Sequence, residues 1–335
     1  MDDALWQLRR EVHRALADVE AGQVVVVALS GGADSLALAA ATAAEGTASA
    51  WQVVGVVVDH GLQSDSARVA QSAAAQADAL GLTRTEVVRV DVPTDGSGPE
   101  AAARTARYEA LSEVAARTGA AAVVLGHTLD DQAESVLLGL ARGSGARSLS
   151  GMPERRGLFR RPFLSVRRAL TRQVCRDLGL APWDDPHNTD PSFARVRVRT
   201  TALPALEVAL GGRVVESLAR TADQLRDDDE ALAAWALEVL EEVDGDGLDV
   251  DALARRPAAV RRRVLRLAAL REDVPPGALS FAHLAALDAL VAHWHGQGAV
   301  ALPGGVFGER RCGRLYLARR STRQSARPSA RPSTQ

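Results

Sequence analysis

The chain has 335 residues, 47% of them hydrophobic, 4% aromatic and 24% charged, with a formal net charge of −2. This is an ordinary globular composition and leaves room for two domains with sizeable cores. The apolar stretches fall short of the roughly 20 residues a membrane-crossing helix needs. Cys175 and Cys312 form no Cys-x-x-Cys pair that would suggest zinc, an iron–sulfur cluster or a redox couple, and both are expected to be packed thiols.

In chain order, "MDDALWQLRREVHRALADV" spaces Leu5, Leu8, Val12, Leu16 and Val19 as one face of a helix. It lacks the basic and apolar regions of a signal peptide, so a cytoplasmic location and no membrane association are expected. Apolar, β-branched runs follow at 24–29, 53–58, 85–90 and 121–126, separated by alanine-rich helical patterns at 34–44, 66–80 and 99–118. Strands this continuously apolar are buried on both faces, and their alternation with helices predicts a parallel sheet, an α/β domain.

After about residue 203 the strand signal fades. Helices are predicted over 213–243, 257–271 and 280–295, with a closing hairpin from "AVALPGG" back to "RLYLA". Gly211-Gly212 marks the expected boundary. The organisation is therefore 1–210, a parallel-sheet catalytic domain, then 211–319, a smaller, mainly α-helical domain, then 320–335, a tail with nothing to bury and expected to be disordered.

Charge is divided along the chain. Residues 1–150 hold 11 arginines and 19 acids, residues 151–200 hold 11 arginines and 5 acids, and the rest balances at 18 each. There is no lysine, so every basic side chain is an arginine. The guanidinium forks of the middle segment, among them Arg160, Arg161, Arg167, Arg168, Arg195, Arg197 and Arg199, suit phosphates, although a solvated face reads the same way.

The first strand runs into Ser30-Gly31-Gly32-Ala33-Asp34-Ser35 and then a helix. Exposed amides and the positive end of a helix make this an anion site. It differs from the Gly-x-x-x-x-Gly-Lys-Ser/Thr loop, which needs a lysine. In a parallel sheet, ligands lie beyond the carboxyl ends of the strands. Asp59-His60-Gly61 and Gly126-His127 fall there too. A helix starting near Thr128 would set His127, Asp131 and Glu134 at i, i+4 and i+7 with Asp130 alongside, more acid than dipole compensation requires. Arg104 and Arg107 share a helical face by their i, i+3 spacing.

The Ser-Gly-Gly-x-Asp-Ser loop resembles that of the PP-loop ATP pyrophosphatases, which cleave ATP to AMP and pyrophosphate. The segments "VDHGL", "ARTARY", "GHTLDDQAES", "LARGSGARSLSGM", "RPFLSVRR", "WDDPHNTDPSFARVRVR" and "LPALE" extend the likeness over about residues 22–206. Together they resemble the tRNA(Ile)-lysidine synthetase family, and "VALPGGVF" looks like the end of that family's first C-terminal domain. The chain has Asp185-Pro186-His187-Asn188 and Arg195-Val196-Arg197-Val198-Arg199 where the family often has Asp-x-Ser-Asn and Arg-Asn-x-x-Arg.

The resemblance implies that ATP activates C2 of the wobble cytidine in a tRNA(Ile) with a CAU anticodon, and that free L-lysine then displaces AMP to give lysidine. No enzyme nucleophile is needed. On that reading Ser30, Gly31, Gly32, Ala33, Asp34, Ser35, Asp59 and His60 bind ATP, and Asp34 places Mg²⁺. Arg107, then His127, would stabilise charge at the α-phosphate. Asp131 and Glu134 would hold lysine, one of them taking its proton. Arg160, Arg161, Arg195, Arg197 and Arg199 would meet the tRNA, and a homodimer is left open. Thiolation of tRNA would need cysteine chemistry, glutamine-dependent synthesis a second nucleophile, and a nucleotide sensor would have no use for the acids after His127.

Overall fold

A computed structural model describes residues 3–61, 65–92, 99–143, 145–185 and 188–319. Leu62, Gln63 and Ser64 of the second loop, Pro186, His187 and the tail at 320–335 lie outside the described residues. The chain divides into Met1–Arg226 and Asp227–Gln335.

The first unit opens with α1 (Asp3–Ala15), β1 (Val24–Leu29), α2 (Ala33–Ser49), β2 (Gln52–Asp59), α3 (Ser66–Ala79), β3 (Arg84–Arg89), α4 (Pro99–Thr118) and β4 (Ala122–Val124). There follow α5 (Leu129–Ala141), α6 (Gly145–Leu149), β5 (Arg155–Arg156), β6 (Phe159–Arg160) and α7 (Arg168–Asp177). The last helical stretch comprises α8 (Ala194–Arg197), a π-helical turn at Val198–Ala202 and α9 (Leu203–Leu210).

The strand order is β3-β2-β1-β4-β6-β5, parallel except where β5 pairs with β6. Valines 25–27 are fully buried because helices cover both faces of β1. One core layer joins α1, α2, α3 and α7 to the sheet, and another joins it to α4. The chain leaves β1 for β2 and β3 on one side and returns to β4 on the other. The topological switch point, where such sheets open a ligand crevice, therefore lies between β1 and β4.

The helix α10 (Val214–Val243) runs from the first unit into the second. The sequence places the boundary at Gly211-Gly212, whereas the units part at Arg226 and Asp227. The reason is packing: Val215 and Ala219, in the first turns of α10, bury against Leu129, Ala133 and Leu203.

The second unit adds β7 (Leu248–Asp249), α11 (Val250–Ala254), α12 (Ala258–Arg271), α13 (Phe281–Ala292), β8 (Val300–Ala301), β9 (Val306–Arg311) and β10 (Arg314–Arg319). Its helices pack on a four-stranded antiparallel sheet in the order β7-β10-β9-β8. The expected hairpin is displaced. "AVALPGG" forms β8 and a turn into β9, with Gly304 and Gly305 at φ of 76° and 74°. The hairpin to "RLYLA" then starts from β9, through Cys312 and Gly313. Cys312 is exposed at that tip, so the expectation of a packed thiol holds only for buried Cys175.

Candidate active site at the ends of β1 and β4

The loop after β1 is held from inside. Ser35 Oγ accepts from the Ser30 amide at 3.1 Å and donates to the Gly32 carbonyl at 2.9 Å. Gly31, at φ +79°, turns its carbonyl to the Trp183 amide at 2.9 Å. The amides of Ser35 and Leu36 both donate to the Gly32 carbonyl at 3.1 Å, closing the first turn, and the amides that precede them lie at the positive end of α2, where anions are favoured. Behind the loop, Gly126 at the end of β4 is closed in by backbone. A Cβ there would lie 3.0 Å from the Asp34 carbonyl oxygen and 3.2 Å from Ser35 Cα.

The acids after His127 are ordered by Thr128. Its backbone N–H and hydroxyl both donate to Asp131 Oδ2 at 2.8 Å, and its Oγ caps α5 by accepting from the Asp131 amide. Asp130 Oδ2 accepts from the amide of Arg168, the first residue of α7, at 2.8 Å.

The residue that unites the site is Arg168. Its Nε lies 3.3 Å from Asp34, and its terminal nitrogens lie 2.6 Å from Asp131 and 3.2 Å from Glu134. Thr171, one turn on, donates to the other oxygen of Asp34. Burial opposes the charge of Arg168, but Asp131, Glu134, Asp34 and Asp130 outweigh it and raise its pKa. Burial raises the pKa of Asp34 against the opposing Thr171 and Arg168. For Asp131 burial also acts upward, yet Arg168, Thr128 and His127 prevail and lower it. The sequence pattern alone does not assign Arg168 and Thr171 to this place. Arg168 lies in the basic run "SVRRAL" and Thr171 just after it, and neither carries information about contacts 34 to 137 positions away.

Glu134 is fully buried and meets three guanidinium groups: Arg168, Arg199 at 2.7 Å and Arg195 at 3.8 Å. His127, at the end of β4, has its Nδ1 buried without a hydrogen-bond partner. Burial, reinforced by Arg161, Arg104 and Arg195 and opposed by Asp131, lowers its pKa to about 4. It is a neutral imidazole at physiological pH. Past β2, Asp59 accepts from the Gly61 amide at 2.9 Å, and Arg107 Nε donates to His60 Nε2 at 3.4 Å. Arg104 instead stacks on Tyr108, 5.1 Å from the ring centre.

The arginines expected to meet RNA separate into two groups. Arg160 and Arg161 are each 3% exposed. Arg160 serves Asp18 and the Gly157 carbonyl, and Arg161 serves the Pro153 carbonyl and the Tyr108 hydroxyl. Burial and internal bonding leave neither open to a phosphate, which corrects the expectation for both. Arg197 is exposed, bonded to the Pro191 and Ser192 carbonyls, while Arg195 and Arg199 reach inward to Glu134.

Comparison with known proteins places these motifs. Residues 5–206 match the PP-loop domain, and residues 248–320 match the TilS substrate binding domain. The tRNA(Ile)-lysidine synthase of Salinispora arenicola is 54% identical over 315 residues, 92% of this chain and 94% of that protein. The chain belongs to the tRNA(Ile)-lysidine synthase family. Membership makes it an ATP-dependent PP-loop ligase acting in tRNA modification. The family's enzyme from Thermobifida fusca is 52% identical, covering 93% of this chain and 96% of its own length. Among solved structures, the U34-tRNA thiolase NcsA of Methanococcus maripaludis matches with a TM-score of 0.56 at 18% identity, covering 66% of this chain and 78% of that one. That likeness is one of fold alone.

Among the described residues no group of three or more His, Cys, Asp or Glu side chains could enclose a metal ion. A Mg²⁺ carried on phosphates would take one or two protein carboxylates and keep much of its water; Asp34, whose oxygens here meet Arg168 and Thr171, is the carboxylate within the loop. Among the same residues no helix is long and apolar enough to cross a membrane.

Proposed function

We propose that the chain joins the side-chain amine of free L-lysine to C2 of the wobble cytidine in a tRNA(Ile) with a CAU anticodon, using ATP. The observation that carries this reading is the bridge made by Arg168. One guanidinium spans from Asp34 of the PP-loop to Asp131 and Glu134, so the ATP-cleaving loop and the acid pair form one site.

The cytidine C2 oxygen attacks the α-phosphorus, the bond to pyrophosphate breaks, and an adenylated base results. The lysine amine then attacks C2, the C2–O bond breaks, AMP leaves and the amine loses a proton. Amides of residues 31–35 with Ser30 and Ser35 hold the phosphates, and Asp59 and His60 border the nucleotide. Asp34 would hold Mg²⁺, which supplies charge neutralisation for the departing pyrophosphate.

Arg107 is the fixed cation for the α-phosphate. Neutral His127 contributes a hydrogen bond rather than a charge. Asp131 and Glu134 hold the lysine ammonium, and one of them accepts the proton. Arg197, the exposed member of the run from Arg195 to Arg199, meets the tRNA, and residues 248–320 supply the substrate binding domain. The substrates imply a cytoplasmic enzyme.

The test is AMP and pyrophosphate formation from ATP with tRNA(Ile) of CAU anticodon, with and without lysine, and with tRNA(Met) as control. Lysine incorporated into the isoleucine tRNA alone is the expected result. ATP cleavage that ignores lysine would retain the PP-loop chemistry and reject the nucleophile.

A further inference from the structure

The acids proposed to hold lysine already hold a cation belonging to the chain. Arg199 Nε lies 2.7 Å from Glu134 Oε1 and its terminal nitrogen 3.1 Å from Oε2, a two-pronged contact, and that nitrogen is 3.6 Å from Asp131 Oδ1. Glu134 has no exposed surface. A lysine ammonium added beside three guanidinium groups would bury an excess positive charge, which a low-dielectric site resists strongly. One cation must leave for another to enter.

The three guanidinium groups are not equally free to leave. Arg168 is tied to Asp34, Asp131 and Glu134 and its side chain is only 15% exposed. Arg195 reaches Glu134 only at 3.8 Å and contributes little to covering it. Arg199 covers both oxygens, keeps 28% exposure, and lies in the π-helical turn Val198–Ala202 just before Pro204. Such turns are less favourable than α-helix and recur at functional sites. A one-residue change of register re-aims a side chain by about 100° around the helix axis. Arg199 is thus the member with a ready route out.

We propose that Arg199 is a placeholder for the substrate's ammonium group. It neutralises Glu134 and Asp131 in the arrangement seen here, lysine displaces it, and the released guanidinium turns to the negative charge of the adenylated nucleotide. The acid pair is never left bare, and lysine binding is coupled to delivery of a second cation. The proposal rests on the assignment of Asp131 and Glu134 to lysine.

The experiment is lysine binding to the full-length protein by calorimetry, comparing wild type, Arg199→Gln, Arg199→Lys and Asp131→Asn. Removing a competing internal cation removes the penalty of an unfavourable pre-equilibrium, so Arg199→Gln should bind lysine about fivefold tighter or more. Its turnover at saturating lysine should fall, and Arg199→Lys should return both values towards wild type. Equal or weaker binding by Arg199→Gln, with Asp131→Asn also weakened, would overturn the placeholder while keeping the lysine site. Unchanged binding by Asp131→Asn would overturn the lysine site itself.

A second measurement needs no variant. Lysine should increase modification of Arg199 by phenylglyoxal, read on the peptide by mass spectrometry. Protection or no change counts against displacement.

Discussion

A terminal nitrogen of Arg168 lies 2.6 Å from Asp131 Oδ1, the shortest of the three contacts by which this arginine ties α7 to the starts of α2 and α5. The fork geometry of a guanidinium permits such bridging, and an ammonium of similar charge does not reproduce it. Breaking a largely buried ion pair from one side leaves the other charge uncompensated.

Arg168→Ala should therefore lower unfolding stability by about 3 kcal/mol, with loss of turnover. Arg168→Lys should recover part of the stability and little of the turnover. Denaturant unfolding and AMP release measured together check both. A neutral effect of Arg168→Ala on stability and rate would remove its bridging role.

Gly126→Ala introduces a Cβ 3.0 Å from the Asp34 carbonyl oxygen. The contact is with backbone, so no side chain can rotate away. The PP-loop must shift, and ATP binding should weaken by about tenfold or more while the fold persists. Nucleotide titration with circular dichroism as a fold control decides this.

On the proposed reading, in which Asp131 faces the amine and the loop amides hold phosphate, Asp131→Asn should raise the KM for lysine more than that for ATP. Steady-state kinetics with each substrate varied in turn provides the check. Equal increases would remove the specific role of Asp131.

His127 gives a pH signature. Its pKa is lowered to about 4 in the folded protein from an ordinary 6.5, so the unfolded chain binds more protons between those values. The neutral ring's contribution to stability is complete above 6.5 and is lost as pH falls towards 4. His127→Gln should flatten the stability profile in that window by up to about one proton. Thermal unfolding across pH 4 to 7 measures it, and an unchanged slope would contradict the burial of a neutral ring.

Arg161 and Arg197 should separate in RNA binding. Arg161→Ala removes a buried contact to Tyr108 and should cost about 2 kcal/mol of stability without changing the salt dependence of tRNA binding. Arg197→Ala should leave stability nearly unchanged and reduce the salt slope by about 1. Filter binding over a salt series distinguishes them.

The sequence by itself determined the parallel sheet, since unbroken valine runs such as 24–27 can only be buried on both faces. It also determined the turn from strand to helix at Ser30 to Ser35, in the PP-loop domain, and the acid-rich start of α5, because capping and helical spacing are local rules. It placed the acids correctly at a strand end, but it could not show that Arg168 joins them to Asp34, or that Glu134 is enclosed by three arginines. Those contacts span dozens of positions and depend on how α7 and the α8–α9 stretch return to the sheet. The separation of buried Arg160 and Arg161 from exposed Arg197 was likewise a tertiary decision. All three are the same basic residue in one segment, and only packing determines which guanidinium is buried and which meets solvent. The break at Arg226 rather than Gly211 has the same origin: a glycine pair marks where a helix can begin, while the apolar side chains of its first turns decide which core it joins.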